Sequence, residues 1–245
     1  MNSTAAAVKI ALHPGHGVPA AIAETIGRRI LNGEIRPGDP LPPESVFLAQ
    51  AGVSRSSLRE AIKTLSAKGL VEARPKLGTR VLPRDRWSLL DTAVLRWQYA
   101  ADDLGDTIAE LFEMRRIVEP QAAALAARRA DAAALARIDA ALARMAAVAG
   151  QPAQALEADI AFHTAVLGAC GNRFLKPFAG AVETALRATV KLSLHRPGGL
   201  GHSIPQHGAV ARAIAARDEA GARDAMAALI AAAEQDTRDV LAGRL

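Results

Sequence analysis

The sequence predicts a mainly α-helical chain in two parts: a small N-terminal unit carrying a β-hairpin, then a larger all-α antiparallel helical bundle. Three observations predict it. Half of the 245 residues are hydrophobic, aromatics are only 3 % and alanine is used heavily, a composition that favours closely packed helices over a β-sandwich. The short β-prone runs are "LVEAR" (70–74) and "TRVL" (79–82), whereas beyond residue 88 the pattern is helical almost throughout. The net charge of +5 lies wholly within residues 1–85 and the remainder is neutral, so the basic part suits a polyanion.

The same composition excludes other classes. No run approaches the roughly 18 apolar residues of a membrane span. Residues 1–18 read as a flexible tail rather than a signal peptide. The single cysteine, Cys170, rules out an internal disulfide and a Cys-based zinc cluster, and reads as buried packing. A reducing cytoplasm is the expected location.

In the basic part, Ile22, Ile26 and Ile30 recur every four residues over 19–32, the stripe of an amphipathic helix ended by Asn32-Gly33. "EIRPGDPLPPE" (34–44) is a turn and a short extended piece. Pro43-Glu44 starts a second helix that ends by Ala51-Gly52. Ser54 caps a third, whose buried face is Leu58, Ala61, Ile62 and Leu65 and which closes at Lys68-Gly69. The two β-prone runs then pair as a hairpin around residues 75–78. Helix, helix–turn–helix and hairpin over 19–82 make a winged helix-turn-helix.

That arrangement binds duplex DNA by holding the third helix in the major groove. Arg55 and Arg59, one turn apart, are the probes, able to bond guanine bidentately or to clamp phosphate. Ser56 and Ser57 are small enough for close approach and donate to phosphate. Arg36 in the turn, and Lys76, Gly78 and Arg80 in the wing, complete the expected DNA-binding set.

A linker is placed at 83–87, and residues 88–245 are expected to form the bundle that binds an effector and dimerises. Breaks near 100–103, 130–131, 150–152, 171–172, 197–201 and 220–221 imply six or seven helices. Asp159 and His163 stand four apart on one helix face, where they can share a divalent metal, bind a hydroxylated ligand, or form a plain surface pair. His207 lies on a later helix. Arg115, beside the packed stripe Leu111, Val118 and Ala122, suits a ligand carboxylate. Asn172 reads as a turn former after Gly171.

Residues 33–81, with Pro-Gly-Asp-x-Leu-Pro, Val-Ser-Arg, Leu-Arg-Glu-Ala and Gly-Thr-x-Val, resemble the DNA-binding domain of the GntR family of bacterial transcription regulators. "LFEMRRIVEPQAAALAA" (111–127), "ADIAFHTAVLGACGN" (158–172) and His207 with "AVARAIAARD" (209–218) resemble the helical ligand-binding (FCD) domain of the FadR subfamily. "RDRWSLLDTAVLRWQ" (84–98) resembles members that respond to sugar acids such as galactonate. The resemblance implies a homodimeric, ligand-responsive regulator of double-stranded operator DNA. It implies a repressor freed by a small carboxylate of the sugar-acid type, and not an enzyme or a membrane protein. It also implies a divalent metal such as zinc on Asp159, His163 and His207, with Leu229 replacing an expected fourth ligand. Two positions depart from the pattern: Pro43 where relatives have a capping Ser, and Ser45 where many have a DNA-contacting Arg. The alternatives weighed are a metal-dependent enzyme with a DNA-targeting head and an architectural DNA-binding protein. A sealed apolar bundle without a cavity would favour the latter.

Overall fold

The computed structural model describes residues 17–74, 78–99, 105–148, 150–193 and 199–243. They divide into two compact units, Met1–Asp103 and Leu104–Leu245.

The first unit opens with α1 (Val18–Leu31), whose Ile22, Ile26 and Ile30 are fully buried as their four-residue spacing requires. Each contributes about 1.5–3 kcal/mol by leaving water. Next come α2 (Glu44–Ala51) and α3 (Arg55–Ala67). Pro43 leaves the start of α2 without a side-chain cap, and Gly52 ends it at φ +62°. Ser54 Oγ accepts the Ser57 N–H at 3.1 Å, capping α3, an interaction worth about 1 kcal/mol. Leu58, Ala61 and Leu65 face the core, with Ile62 half-buried at its edge. The antiparallel hairpin pairs β1 (Val71–Arg74) with β2 (Gly78–Val81), Val71 opposite Val81. The extended piece after the first turn joins it: the Leu41 N–H donates to the Thr79 carbonyl at 2.8 Å.

The expected linker at 83–87 is corrected by the structure. Trp87 is buried and its Nε1 donates to the Leu82 carbonyl at 2.9 Å. The helix after it, α4 (Thr92–Tyr99), packs on α1, with Val94 and Trp97 in the same core cluster as Ile22 and Ile26. The expected start of the second domain at 88 is therefore also too early. Two tryptophans and a valine need an apolar partner, and α1 supplies it. Asp91 fixes the geometry by accepting from the Ala93 and Val94 N–H groups and from Lys68 Nζ at 2.7 Å.

The second unit contains α5 (Gly105–Arg129), α6 (Ala132–Ala147), α7 (Pro152–Ala169), α8 (Phe178–Ser193), α9 (Ile204–Ala215) and α10 (Glu219–Leu241). The long α5 packs on α7, α8, α9 and α10. Ala123, Ala126 and Ala127 are fully buried, so these helices approach closely. One expected break moves: the chain turns at Arg217 (φ +62°) and Asp218, not at 220–221. Gly221 lies inside the first turn of α10, where its N–H donates to the capping Asp218 at 2.9 Å. A Cβ there would fall 2.2 Å from the Asp218 carboxylate, so this glycine serves the cap. Cys170 is fully buried, and Asn172 Oδ1 accepts the Phe174 N–H after Gly171 turns at φ +65°.

Candidate functional site

The candidate reading face lies on α3. With its inner side pinned, Arg55 and Arg59 project with side chains 78 % and 71 % exposed. Glu44 at the start of α2 stands 3.9 Å from each, close enough to bias their direction without binding them tightly. Ser56 is exposed, but its hydroxyl joins a local network: Ser54 Oγ lies 2.9 Å from both Ser56 Oγ and Ser57 Oγ. Ser57 is half-buried and belongs first to the cap. Arg36 is exposed beside a turn closed by its own N–H to Asp39 Oδ2. Arg80 Nη1 donates to the Gly38 carbonyl at 3.0 Å, so this residue braces the wing while staying exposed. Gly78 sits at φ +79° with open space around it, so backbone conformation requires glycine there. Lys76 lies outside the described residues.

The second site is enclosed by the bundle. Five acidic, basic or imidazole residues are at most 3 % exposed: Arg115, Glu119, Asp159, His163 and His207. All but Glu119 line one cavity, together with Leu229, Gln206, His202, Asp236 and neighbours, enclosing about 40 Å³ of free space. That volume holds about three waters or one carboxylate head. Burying so many polar groups is costly unless each finds a partner. Arg115 Nε donates to Glu119 Oε1 at 2.6 Å, and Glu119 Oε2 makes a very short contact with His163 Nδ1. Burial alone would raise the Glu119 carboxyl, but Arg115 and His163 outweigh it and hold it at about 2. Burial likewise pushes Asp159 up, and His207, His163 and Arg115 more than offset it, leaving that carboxyl below its ordinary value.

These partners fix one hydrogen on each imidazole. His207 Nδ1 lies 2.8 Å from the Ser203 carbonyl, which can only accept, so Nδ1–H donates. The ionised Glu119 places the His163 hydrogen on Nδ1 in the same way. A neutral imidazole so fixed leaves Nε2 as a lone pair. His207 Nε2 lies 2.9 Å, and His163 Nε2 3.9 Å, from Asp159 Oδ1. The closer approach lacks hydrogen-bond directionality, and His207 Nε2 has no hydrogen-bond partner. With both imidazoles neutral, two nitrogen lone pairs and a carboxylate oxygen face one point, within 4.8 Å of one another. In that state they repel unless a proton or a metal cation stands among them. The group therefore fits a divalent metal with nitrogen and oxygen ligands, and Glu119 and Ser203 are the outer partners such ligands need.

The structure brings Arg115, Asp159, His163 and His207 to one cavity and puts Leu229 in its wall. Sequence reasoning missed Glu119, Ser203 and Gln206. Glu119 had a signal: it stands four residues after Arg115 on an otherwise apolar stripe, the spacing of an ion pair on one helix face. Ser203 acts through its backbone and left none.

Fold and site together define a ligand-responsive DNA-binding transcription regulator rather than an enzyme. Residues 19–81 match the model of bacterial regulatory proteins of the gntR family, and residues 110–232 match the FCD domain. The chain belongs to the GntR family, in the group whose second domain is of FCD type. It is 34 % identical over 221 residues to the galactonate operon transcriptional repressor of Escherichia coli K12, covering 89 % of this chain and 96 % of that protein. It is 37 % identical over 186 residues to the uncharacterised HTH-type regulator YieP of the same strain, covering 71 % of this chain and 81 % of that one. The solved structure of Lar, which controls expression of the Listeria monocytogenes agr system, superposes with a TM-score of 0.64 at 18 % identity. That match covers 92 % of this chain and 99 % of the other, a likeness of fold. Among the described residues no helix is long and apolar enough to cross a membrane.

Proposed function

We propose that this protein is a cytoplasmic repressor that binds a palindromic operator as a homodimer and is released by a sugar acid. Two half-sites require two recognition helices, which a dimer held by the helical unit supplies. On each half-site Arg55 and Arg59 read or clamp the groove, while Arg36, Ser56, Ser57, Lys76, Gly78 and Arg80 contact or approach the backbone.

The observation that carries the ligand reading is the convergence of His163 Nε2, His207 Nε2 and Asp159 Oδ1 in a cavity that also receives Arg115. With neutral imidazoles, Arg115, Glu119 and Asp159 sum to one negative charge. A divalent cation such as zinc on Asp159, His163 and His207 turns that into one positive charge. One ligand carboxylate then neutralises the chamber. The cation, when bound, supplies a Lewis-acid contact for that carboxylate; Leu229 in the wall leaves open positions for it. Arg115, tied to Glu119 through Nε, keeps its terminal amino groups for the same anion. The relationship to the galactonate operon repressor supports a sugar acid as the anion's source. A cavity lined by buried polar groups does not suit a bundle that serves for dimerisation alone.

A gel-shift titration tests this. The metal-loaded protein on its upstream DNA is titrated with aldonic and uronic acids, and at least one is expected to dissociate the complex. If every acid leaves the complex intact with and without zinc, the proposed function is wrong.

A further inference from the structure

The cavity holds polar groups that the cation cluster does not use. Gln206 is the third residue of α9, next to His207, and its Oε1 is buried in the cavity wall without a hydrogen-bond partner. Asp236 stands on α10, seven residues past Leu229, and seven residues of helix span about 10 Å. Its Oδ2 accepts from His202 Nε2 at 2.9 Å, and both residues line the cavity that Leu229 enters. Leu186, Ala232 and Ala233 form apolar wall of the same cavity.

The donor and acceptor chemistry of these groups differs from that of the Arg115 end. Arg115 and a cation call for an anion. An amide oxygen and a carboxylate call for hydrogen-bond donors, which on an acid ligand means hydroxyl groups. A buried amide oxygen left unmatched is costly, and a ligand hydroxyl removes that cost.

The geometry points to a distal subsite in which Gln206 and Asp236 each accept a hydroxyl of the effector, selecting a long polyhydroxy acid over a short hydroxy acid. This rests on the proposed placement of the carboxylate at Arg115 and the cation. A three-carbon hydroxy acid carries its hydroxyl beside its carboxylate and offers nothing to Asp236, two helical turns along α10 from Leu229. A hexonate carries hydroxyls along its whole chain and does. The free space of about 40 Å³ takes only the carboxylate head, so a hexonate enters when the turn Gly199–Ser203, which carries His202, gives way. The chain-end hydroxyl then donates to Asp236 where His202 does now.

The test is calorimetric titration of the full-length, zinc-loaded protein with a panel of hexonates, the 6-deoxy counterpart of the tightest, and lactate. Wild type is expected to bind the hexonate at least about tenfold tighter than the 6-deoxy acid or lactate. Gln206→Leu and Asp236→Asn are each expected to weaken the hexonate about tenfold and to leave zinc content and lactate binding unchanged. The 6-deoxy comparison needs no variant, so it stands even if a substitution disturbs folding. Equal affinity for hexonate and 6-deoxy acid, or hexonate binding indifferent to both substitutions, overturns the subsite. If that hexonate binding is still lost in Arg115→Ala, the proposed function survives without it. Tighter binding of lactate than of any hexonate also overturns the subsite, and absence of binding by every acid removes both readings.

Discussion

Gly27 of α1 lies directly beneath Trp97 of α4: a Cβ at position 27 would fall 2.4 Å from Trp97 Cε3. The contact binds a segment expected in the second domain to the core of the DNA-binding unit. Gly27→Ala must push the indole out of its seat, an overpacking defect that costs about 1–3 kcal/mol. Thermal melting of the isolated fragment 17–99 should show it as a lower midpoint. The matching truncation, 17–82, strips Trp87, Val94 and Trp97 from the core and should melt without a cooperative transition. A fragment 17–82 as stable as 17–99 would show that α4 is not part of this unit.

The Lys68–Asp91 pair gives the same seam a pH dependence. Burial pushes the Asp91 carboxyl up, but the hydrogen bonds from Lys68 and from the α4 backbone win and leave it below its ordinary 3.8. A carboxyl lowered on folding adds stability that is present above the unfolded value and lost as pH falls through the folded one. The melting midpoint of 17–99 should therefore drop below about pH 4, and Asp91→Asn should remove part of that drop. The pair is partly exposed, so the effect is small and shrinks with salt. Superimposable acid profiles for the two proteins would contradict the assignment.

Arg55 and Arg59 separate by role. Loss of a base contact costs about 1–3 kcal/mol and relaxes sequence preference, whereas loss of a phosphate contact weakens all duplexes and lowers the salt slope by about one. Fluorescence anisotropy of Arg55→Ala and Arg59→Ala against operator and random duplex, across salt, sorts them. Both variants binding operator like wild type would exclude α3 as the reading helix. Ser54→Ala should cost about 1 kcal/mol of unit stability through the lost cap.

Glu119 holds the chamber together without lining it. Glu119→Gln removes the charge paired with the buried Arg115, a loss of about 3–5 kcal/mol, and leaves one acceptor oxygen where Arg115 and His163 each use one. Zinc affinity, read by competition with a fluorescent chelator, should fall about 10–100-fold. Retained zinc affinity together with a wild-type melting temperature would show that Glu119 supports neither group.

The DNA-binding unit was largely legible because its signals are local. Ile22, Ile26 and Ile30 report one helix face, Ser54 reports a cap, and the paired runs at 70–82 report a hairpin. The place of α4 was not legible, since "TAVLRW" states that a face must be buried but not against which helix. Gly221 misled for a related reason: glycine breaks helices in general, and only the Asp218 carboxylate above it reveals a cap. In the chamber, Asp159 and His163 were visible by their spacing and Arg115 by its apolar setting. Their union with His207 depends on α5, α7 and α9 meeting, which no local pattern encodes. Ser203 contributes a carbonyl, and a backbone acceptor has no sequence signature.

In the proposed regulator the chamber and the helix that meets DNA are energetically coupled. Coupling is reciprocal, so the operator must weaken the effector by the factor by which the effector weakens the operator. The most direct measurement is the calorimetric Kd of the tightest sugar acid for the zinc-loaded protein, alone and with saturating operator duplex. Binding is expected to be weaker in the presence of operator, by about 5- to 150-fold. A Kd unmoved by operator would contradict the coupling, because the acid would then occupy the bundle without reaching the DNA.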